Sequence, residues 1–278
     1  MDWSRVKNIL IVVFIILNIF LLVYLYISHE ESAISKESVA AVIEILGKNN
    51  VIIDRDCEIP TYKKNTPMLV FKNNDIDKKK IIEKLLGKDY ATEEKDKEEN
   101  ENRIIFGEGL AFTYHNPNPS DDIDINKIKN MEKYLRDFFS GMGINMSQFI
   151  LDRHIEQPEN DMDTYIFIEK YKNYLVYDNR ISVSITPGGI ASIELNIRKI
   201  KGFTKKASPI MPAHQVLLKN FYKKKDITIK CVDLGYKGFE NEYGEQETKE
   251  IFHGPAWRII TSDGTEVFLK AYDGEEIM

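Results

Sequence analysis

The sequence predicts an α+β protein: an N-terminal transmembrane helix followed by two antiparallel-sheet domains with helices packed on one face. Three observations lead to this class. Residues 9–27 form an apolar run without a single charge. Beyond it, helical and strand periodicities follow one another in the order helix then strands, twice. The composition is also that of a folded chain, with 43% hydrophobic and 11% aromatic residues but only 15 Gly and 9 Pro in 278, which excludes disordered, collagen-like and low-complexity proteins.

The run Ile9 to Ile27 reads ILIVVFIILNIFLLVYLYI. As a helix rising about 1.5 Å per residue it measures roughly 29 Å, close to the hydrocarbon thickness of a bilayer. A cleaved signal peptide has a shorter apolar core and a small-x-small site, and Ser28–Ser35 offers only a weak one. No cysteine follows closely, which excludes a lipoprotein signal. A core helix is seldom apolar on every face. The run therefore reads as an uncleaved anchor. Arg5 and Lys7 against Asp2 leave the first 27 residues one positive charge, so with a net charge of −6 for the whole chain the rest carries −7. The positive-inside bias then keeps residues 1–8 as a cytoplasmic stub, too short for a signalling domain, and puts the body outside a cell membrane crossed once. Trp3, Tyr24 and Tyr26 stand where aromatic belts stand. An acidic body with no basic stripe excludes nucleic acid as a partner and leaves the lipid bilayer as the first one.

Asn18 is the strongly polar residue of the span. Two readings stay open: an amide that bonds its own backbone, or one that bonds another helix. Ile11, Phe14, Asn18, Leu21 and Leu25 share one helix face and are the candidate partner-binding residues. A homodimer is one further option for the chain's partners.

A first extracellular domain is expected over residues 28–118. Val39, Val42, Ile43 and Leu46 are spaced for a helix, with Ser35 placed to cap it and Gly47 to end it. Val51–Ile53 and Met68–Phe71 read as strands. A second helix begins near Asp75 or Asp77, uses Ile81, Ile82, Leu85 and Leu86, and stops at Gly87. Thr92–Asn102 holds six acids and two lysines and reads as a solvated loop. Arg103–Phe106 and Leu110–Tyr114 are strands joined by a glycine turn. The turn-rich HNPNPS run at 115–120 marks the boundary.

The second domain, 119–278, opens with a long helix through Ile125, Ile128, Met131, Leu135, Phe138 and Phe139. Strands follow around Phe149–Ile155, Thr164–Tyr177, Ile181–Ile185 and, after a Pro187-Gly-Gly turn, Ala191–Ile200. A helix is expected over Pro212–Lys223. Closing strands lie at Asp226–Phe239, Glu250–Ile260 and Val267–Tyr272, the last two joined across Asp263-Gly264.

No catalytic constellation is visible. His29, His115, His154, His214 and His253 show no i, i+4 pair, no HExxH and no cysteine at zinc spacing, and read as scattered surface or loop residues. Asp122-x-Asp124-x-Asn126 begins like a calcium loop but continues with Lys127 instead of Gly and has Lys133 where the loop's Glu belongs; its acids fit the N-terminus of the following helix. The sequence predicts no catalytic residue, metal or cofactor, and no enzyme. Cys57 and Cys231, the two cysteines, leave two readings open: a disulfide, which can form outside the membrane, or two free buried thiols, the favoured one because they fall one in each expected domain and in strand-like surroundings. Trp257 and Arg258 are candidate residues of an extracellular interface, although strand alternation would put Trp257 in the core and Arg258 outward.

The opening MDWSRVK, followed by an apolar span containing LNIFLL, resembles the YycI (WalI) family of Gram-positive bacteria. The ending is similar too, with PAWRII at 255–260, Asp263-Gly264 and KAYDGE at 270–275; these closing strands are also similar to the ends of PepSY-type modules. The acidic insertion around 92–102 departs from the resemblance. The residues alone leave two functions open: a regulatory interaction protein, or a membrane-anchored extracellular module that binds or inhibits a wall polymer or protease. The resemblance implies the first, a YycH-like tandem architecture and partnership with a YycH-like membrane protein on a sensor histidine kinase of the WalK/YycG type, in a two-component system that controls cell-wall metabolism.

Overall fold

The apolar run folds into a single helix, α1 (Trp3–Glu30), and none of Val6–Val23 is buried against the rest of the chain. The structure, a computed structural model, describes residues 3–30, 36–61, 65–72, 77–87, 104–119, 130–239 and 251–277; within α1 the side chains of 4–5 and 24–30 are not described. The expected cap at Ser35, the acidic run 92–102, the calcium-like Asp122–Asn126 and the helix positions Ile125 and Ile128 lie outside the described residues.

The chain folds into two compact units assembled from separated segments: Met1–Thr66 with Ser208–Asp233 and Trp257–Ile277, and Pro67–Ala207 with Leu234–Ala256. A single cut after residue 118 does not describe this division, because chain-distant strands pair within each unit.

In the first unit, α2 (Lys36–Gly47) buries Val42 and Leu46 and leads into β1 (Val51–Ile53). Apolar spacing places that stripe on one face, so α2 packs on α5 (Ala213–Phe221), which buries Val216, Leu217 and Phe221. β1 pairs in parallel with the start of β10 (Ile227–Lys237), Ile53 opposite Ile229. The second half of β11 (Ile251–Thr261) pairs with β12 (Glu266–Lys270). Between those two strands Gly264 takes a φ of +83°, and Asp263 accepts from the Thr265 amide.

In the second unit, β2 (Asn65–Lys72) pairs antiparallel with the first residues of β11, Phe71 opposite Ile251. α3 (Lys78–Leu86) starts at Asp77, whose carboxylate accepts from the Lys80 amide, and ends at Gly87 with φ +95°. β3 (Ile104–Phe106) and β4 (Leu110–His115) form the expected hairpin. α4 (Met131–Gly141) is capped by Asn130 through the Lys133 amide. The meander β5 (Phe149–Gln157), β6 (Met162–Tyr171), β7 (Tyr174–Thr186) and β8 (Gly189–Ile197) is antiparallel, and β4 adds to β8.

Ile81 of α3 with Leu135 and Phe139 of α4 lies against Phe112, Phe167, Ile181, Ile193 and Leu195 in one core, which puts both helices on one sheet face. Each fully buried aliphatic or aromatic side chain here contributes about 1.5–3 kcal/mol.

Two strand assignments differ from the sequence reading. Thr164–Tyr177 is not one strand: Lys172 and Asn173 both take positive φ (45° and 73°), the conformation of a type I′ hairpin turn. β9 (Lys199–Pro209) extends beyond Ile200 through lysine-rich sequence that carries little apolar alternation. It lies at the end of the strand order beside β2, a position where lysines keep an edge from pairing further. The class is α+β, with five α-helices among the described residues and a mixed sheet, since β10 runs parallel to both β1 and β7.

Candidate functional site

The site expected in the membrane is a face of α1. Ile11, Phe14 and Leu21 are 47%, 63% and 47% exposed, so an apolar face is presented outward along the helix. The Asn18 Nδ2 donates to the Phe14 carbonyl at 2.8 Å, the first of the two readings of this amide. An amide group carries a second N–H and an acceptor oxygen, so the self-bond uses part of its capacity. Leu25 is helical, with its side chain outside the described residues.

The pair expected at an outer interface lies inside instead. Trp257 is fully buried and donates from Nε1 to the Met211 carbonyl at 2.9 Å. Arg258, expected to face outward, is 2% exposed. Its guanidinium donates to Asp233 at 2.7 Å and to Glu266 at 3.3 Å. The physical reason is that β11 is covered on both faces along 253–259, so alternation no longer separates core from solvent. The carboxylates that hold Arg258 come from β10 and β12. Nothing local to either acid marks it as a partner, and sequence reasoning missed both.

The two thiols are free and half-buried, and they share one unit rather than falling one in each of two. Cys231 donates to the Asp233 carboxylate at 3.2 Å. Burial, then the charge of Asp233, pushes the Cys231 thiol up to about 12; burial, then Asp233 and Asp54, pushes Cys57 up to about 11.

The described histidines are scattered, but not all at the surface. His115 is exposed, whereas His214 and His253 are buried. His253 packs on the Phe71 ring at 4.2 Å and its Nδ1 lies 3.4 Å from Asp178. That carboxylate also accepts from Lys237 at 2.9 Å and the Gly238 amide at 2.7 Å. Burial pulls the His253 imidazole down to about 4 despite Asp178. His154 stacks on Tyr165 at 4.3 Å, with Asp163 3.5 Å from Nε2. Beside it a cleft of about 320 Å³ is lined by Glu156, Asp161, Asp163 and Tyr165. In the other unit a wider groove of about 630 Å³ runs between α2 and α5, past Ile45, Lys48, Leu218 and Tyr222. Among the described residues no three His, Cys, Asp or Glu side chains come together as a metal site. The arrangement offers two surface clefts and a long apolar helix.

The family model described as YycI protein matches residues 29–272. No curated protein matches the chain. Among solved structures, an uncharacterized protein from Eubacterium rectale ATCC 33656 is 14% identical with a TM-score of 0.44, covering 86% of this chain and 98% of that one. The C-terminal domain of Bacillus megaterium YpeB is 11% identical with a TM-score of 0.38, covering 62% of this chain and 71% of that one.

Proposed function

Since the chain belongs to the YycI family, with a role in the YycG/WalK two-component system, we propose that it acts there as a single-pass anchored regulator. In this reading the folded body lies outside the cell and assembles with a YycH-like partner, while α1 packs against the membrane helices of the kinase. YycI is a regulatory rather than an enzymatic family, and the machinery needed here is a contact surface.

One observation carries the proposal. A long helix with no buried residue in Val6–Val23 precedes the body matched by the family. Among the described residues such a helix has no packing partner within its own chain. In lipid, helices associate through van der Waals packing and a few hydrogen bonds, and the face Ile11, Phe14, Asn18, Leu21, Leu25 is the one we assign to that contact. Arg5 and Lys7 hold the N-terminus in the cytoplasm by the positive-inside rule.

Replacing residues 9–27 by an unrelated membrane span separates this reading from one in which the outer body acts alone. A kinase-dependent reporter should change while the amount of protein at the surface stays normal. An unchanged reporter would remove α1 from the mechanism. Protease added to intact wall-less cells should degrade the body, and full protection would reverse the orientation.

A further inference from the structure

We propose that the groove between α2 and α5 docks on the surface of an anionic lipid bilayer, holding the first unit against the membrane that α1 enters. The two helices are joined at their C-terminal ends. The Asn49 side-chain amide donates to the Tyr222 carbonyl, and the Asn50 side-chain amide donates to the Asp226 carboxylate at 2.6 Å. Between these ends lies the groove of about 630 Å³. Ile45 and Leu218 line it half-buried, while Lys48, Lys219, Tyr222 and Lys223 are exposed around it.

The charge here runs against that of the chain. The whole protein carries −6, yet four lysines fall within Lys219–Lys225 and Lys48 faces them across the groove. Three acidic residues lie close by. Glu44 pairs with Lys48 at 3.3 Å, Asp226 holds Asn50, and the Asp273 carbonyl accepts from Lys219 at 2.8 Å. The lysines outnumber them. A lysine in the last turn of a helix offsets the carbonyl end of its dipole, and that accounts for Lys219 alone. Lys223, Lys224 and Lys225 lie beyond α5, and α2 has no basic residue in its last turn.

Tyr222, 52% exposed, decides the kind of partner. A soluble phosphate polymer would engage the lysines and leave the ring in water. A bilayer surface uses both, because lysine meets lipid phosphate and an amphipathic ring enters the headgroup layer. The chain also keeps the groove near such a surface. α1 ends at Glu30 and α2 begins at Lys36. Six extended residue steps span at most about 21 Å, and the 12 residues of α2 add about 18 Å. A tethered surface binds as if concentrated, so contacts too weak to hold a free protein suffice. The inference rests on α1 being a membrane anchor, and not on which side of the membrane the body lies.

The full-length protein is placed in nanodiscs of phosphatidylcholine alone, or of an equal mixture with phosphatidylglycerol. Its lysines are briefly acetylated with a neutral reagent and mapped by mass. Lys48, Lys219 and Lys223 should react about fivefold more slowly in the anionic discs, and high salt should restore the rate. Lys205 and Lys206, exposed on β9 of the other unit, should react alike in both discs. In a Lys48→Glu/Lys223→Glu variant Lys219 should lose its protection, whereas Lys205→Glu/Lys206→Glu should leave it. An unchanged labelling pattern in phosphatidylcholine shows that the first variant is folded. Equal rates in both discs, or the same slowing at Lys205 and Lys206, would overturn the docking while the anchor stands. Equal protection by polyphosphate added to phosphatidylcholine discs would overturn it too, in favour of a soluble polymer. A chain washed out of both discs would overturn the anchor, and the docking with it.

Discussion

Arg258 on β11 donates to Asp233 on β10 at 2.7 Å from a side chain only 2% exposed, with Glu266 of β12 at 3.3 Å on its other nitrogen. One guanidinium thus joins three neighbouring strands. Removing a single member of a buried ion cluster leaves the other charges without compensation, which costs more than the pair contributed. Arg258→Ala should lower stability by about 3 kcal/mol. Asp233→Asn should cost less, because Glu266 still faces the guanidinium. Urea unfolding of the purified protein measures both, and a loss near zero for Arg258→Ala would mean that water reaches the cluster.

His253 gives stability a pH dependence with a defined sign. Its ordinary value of 6.5 falls to about 4 in the fold, so the folded protein prefers the neutral imidazole. Its contribution is complete above about pH 6.5, is lost as pH falls toward 4, and levels off below. The full loss is about 3 kcal/mol at 1.36 kcal/mol per unit. Burial lowers His214 as well and adds in the same direction. His253→Gln should flatten the stability curve between pH 4 and 6.5 relative to wild type. Parallel curves for the two proteins would argue against the assignment.

Gly235 stands opposite Leu175 where β10 runs parallel to β7. A Cβ at this position would run into the Leu175 carbonyl and the Tyr177 ring. Neither is the free end of a flexible chain, so the strands would have to part. Gly235→Ala should destabilise by about 1–3 kcal/mol and lower the melting temperature. Gly47→Ala, with nothing within 4 Å of the added carbon, serves as the control that should not.

Asn18→Leu raises the apolarity of α1 and removes the bond to the Phe14 carbonyl, so insertion should be unchanged. If the remaining amide capacity bridges helices, association with the kinase weakens by up to about 1–2 kcal/mol. Crosslinking or copurification in detergent reads this directly. Equal recovery of the kinase with both forms would leave the apolar face as the contact and the amide as a self-satisfied passenger.

What the sequence determined by itself is what depends on neighbours along the chain. The length and charge of 9–27 make a membrane-length helix, Asp77 and Gly87 bound α3, and the apolar spacing of Leu135 and Phe139 picks out the buried face of α4. Each rests on interactions within a few residues, and the α+β class follows from their order. The tertiary structure decided everything that joins distant segments. It paired β1 with β10, put Cys57 and Cys231 in one unit, and supplied Asp233 and Glu266 to Arg258. It also covered both faces of β11, and with that it buried an arginine that alternation would have left in water. Period-two patterning reports a strand with one wet face, and it is silent where sheet neighbours and packing exclude solvent from both.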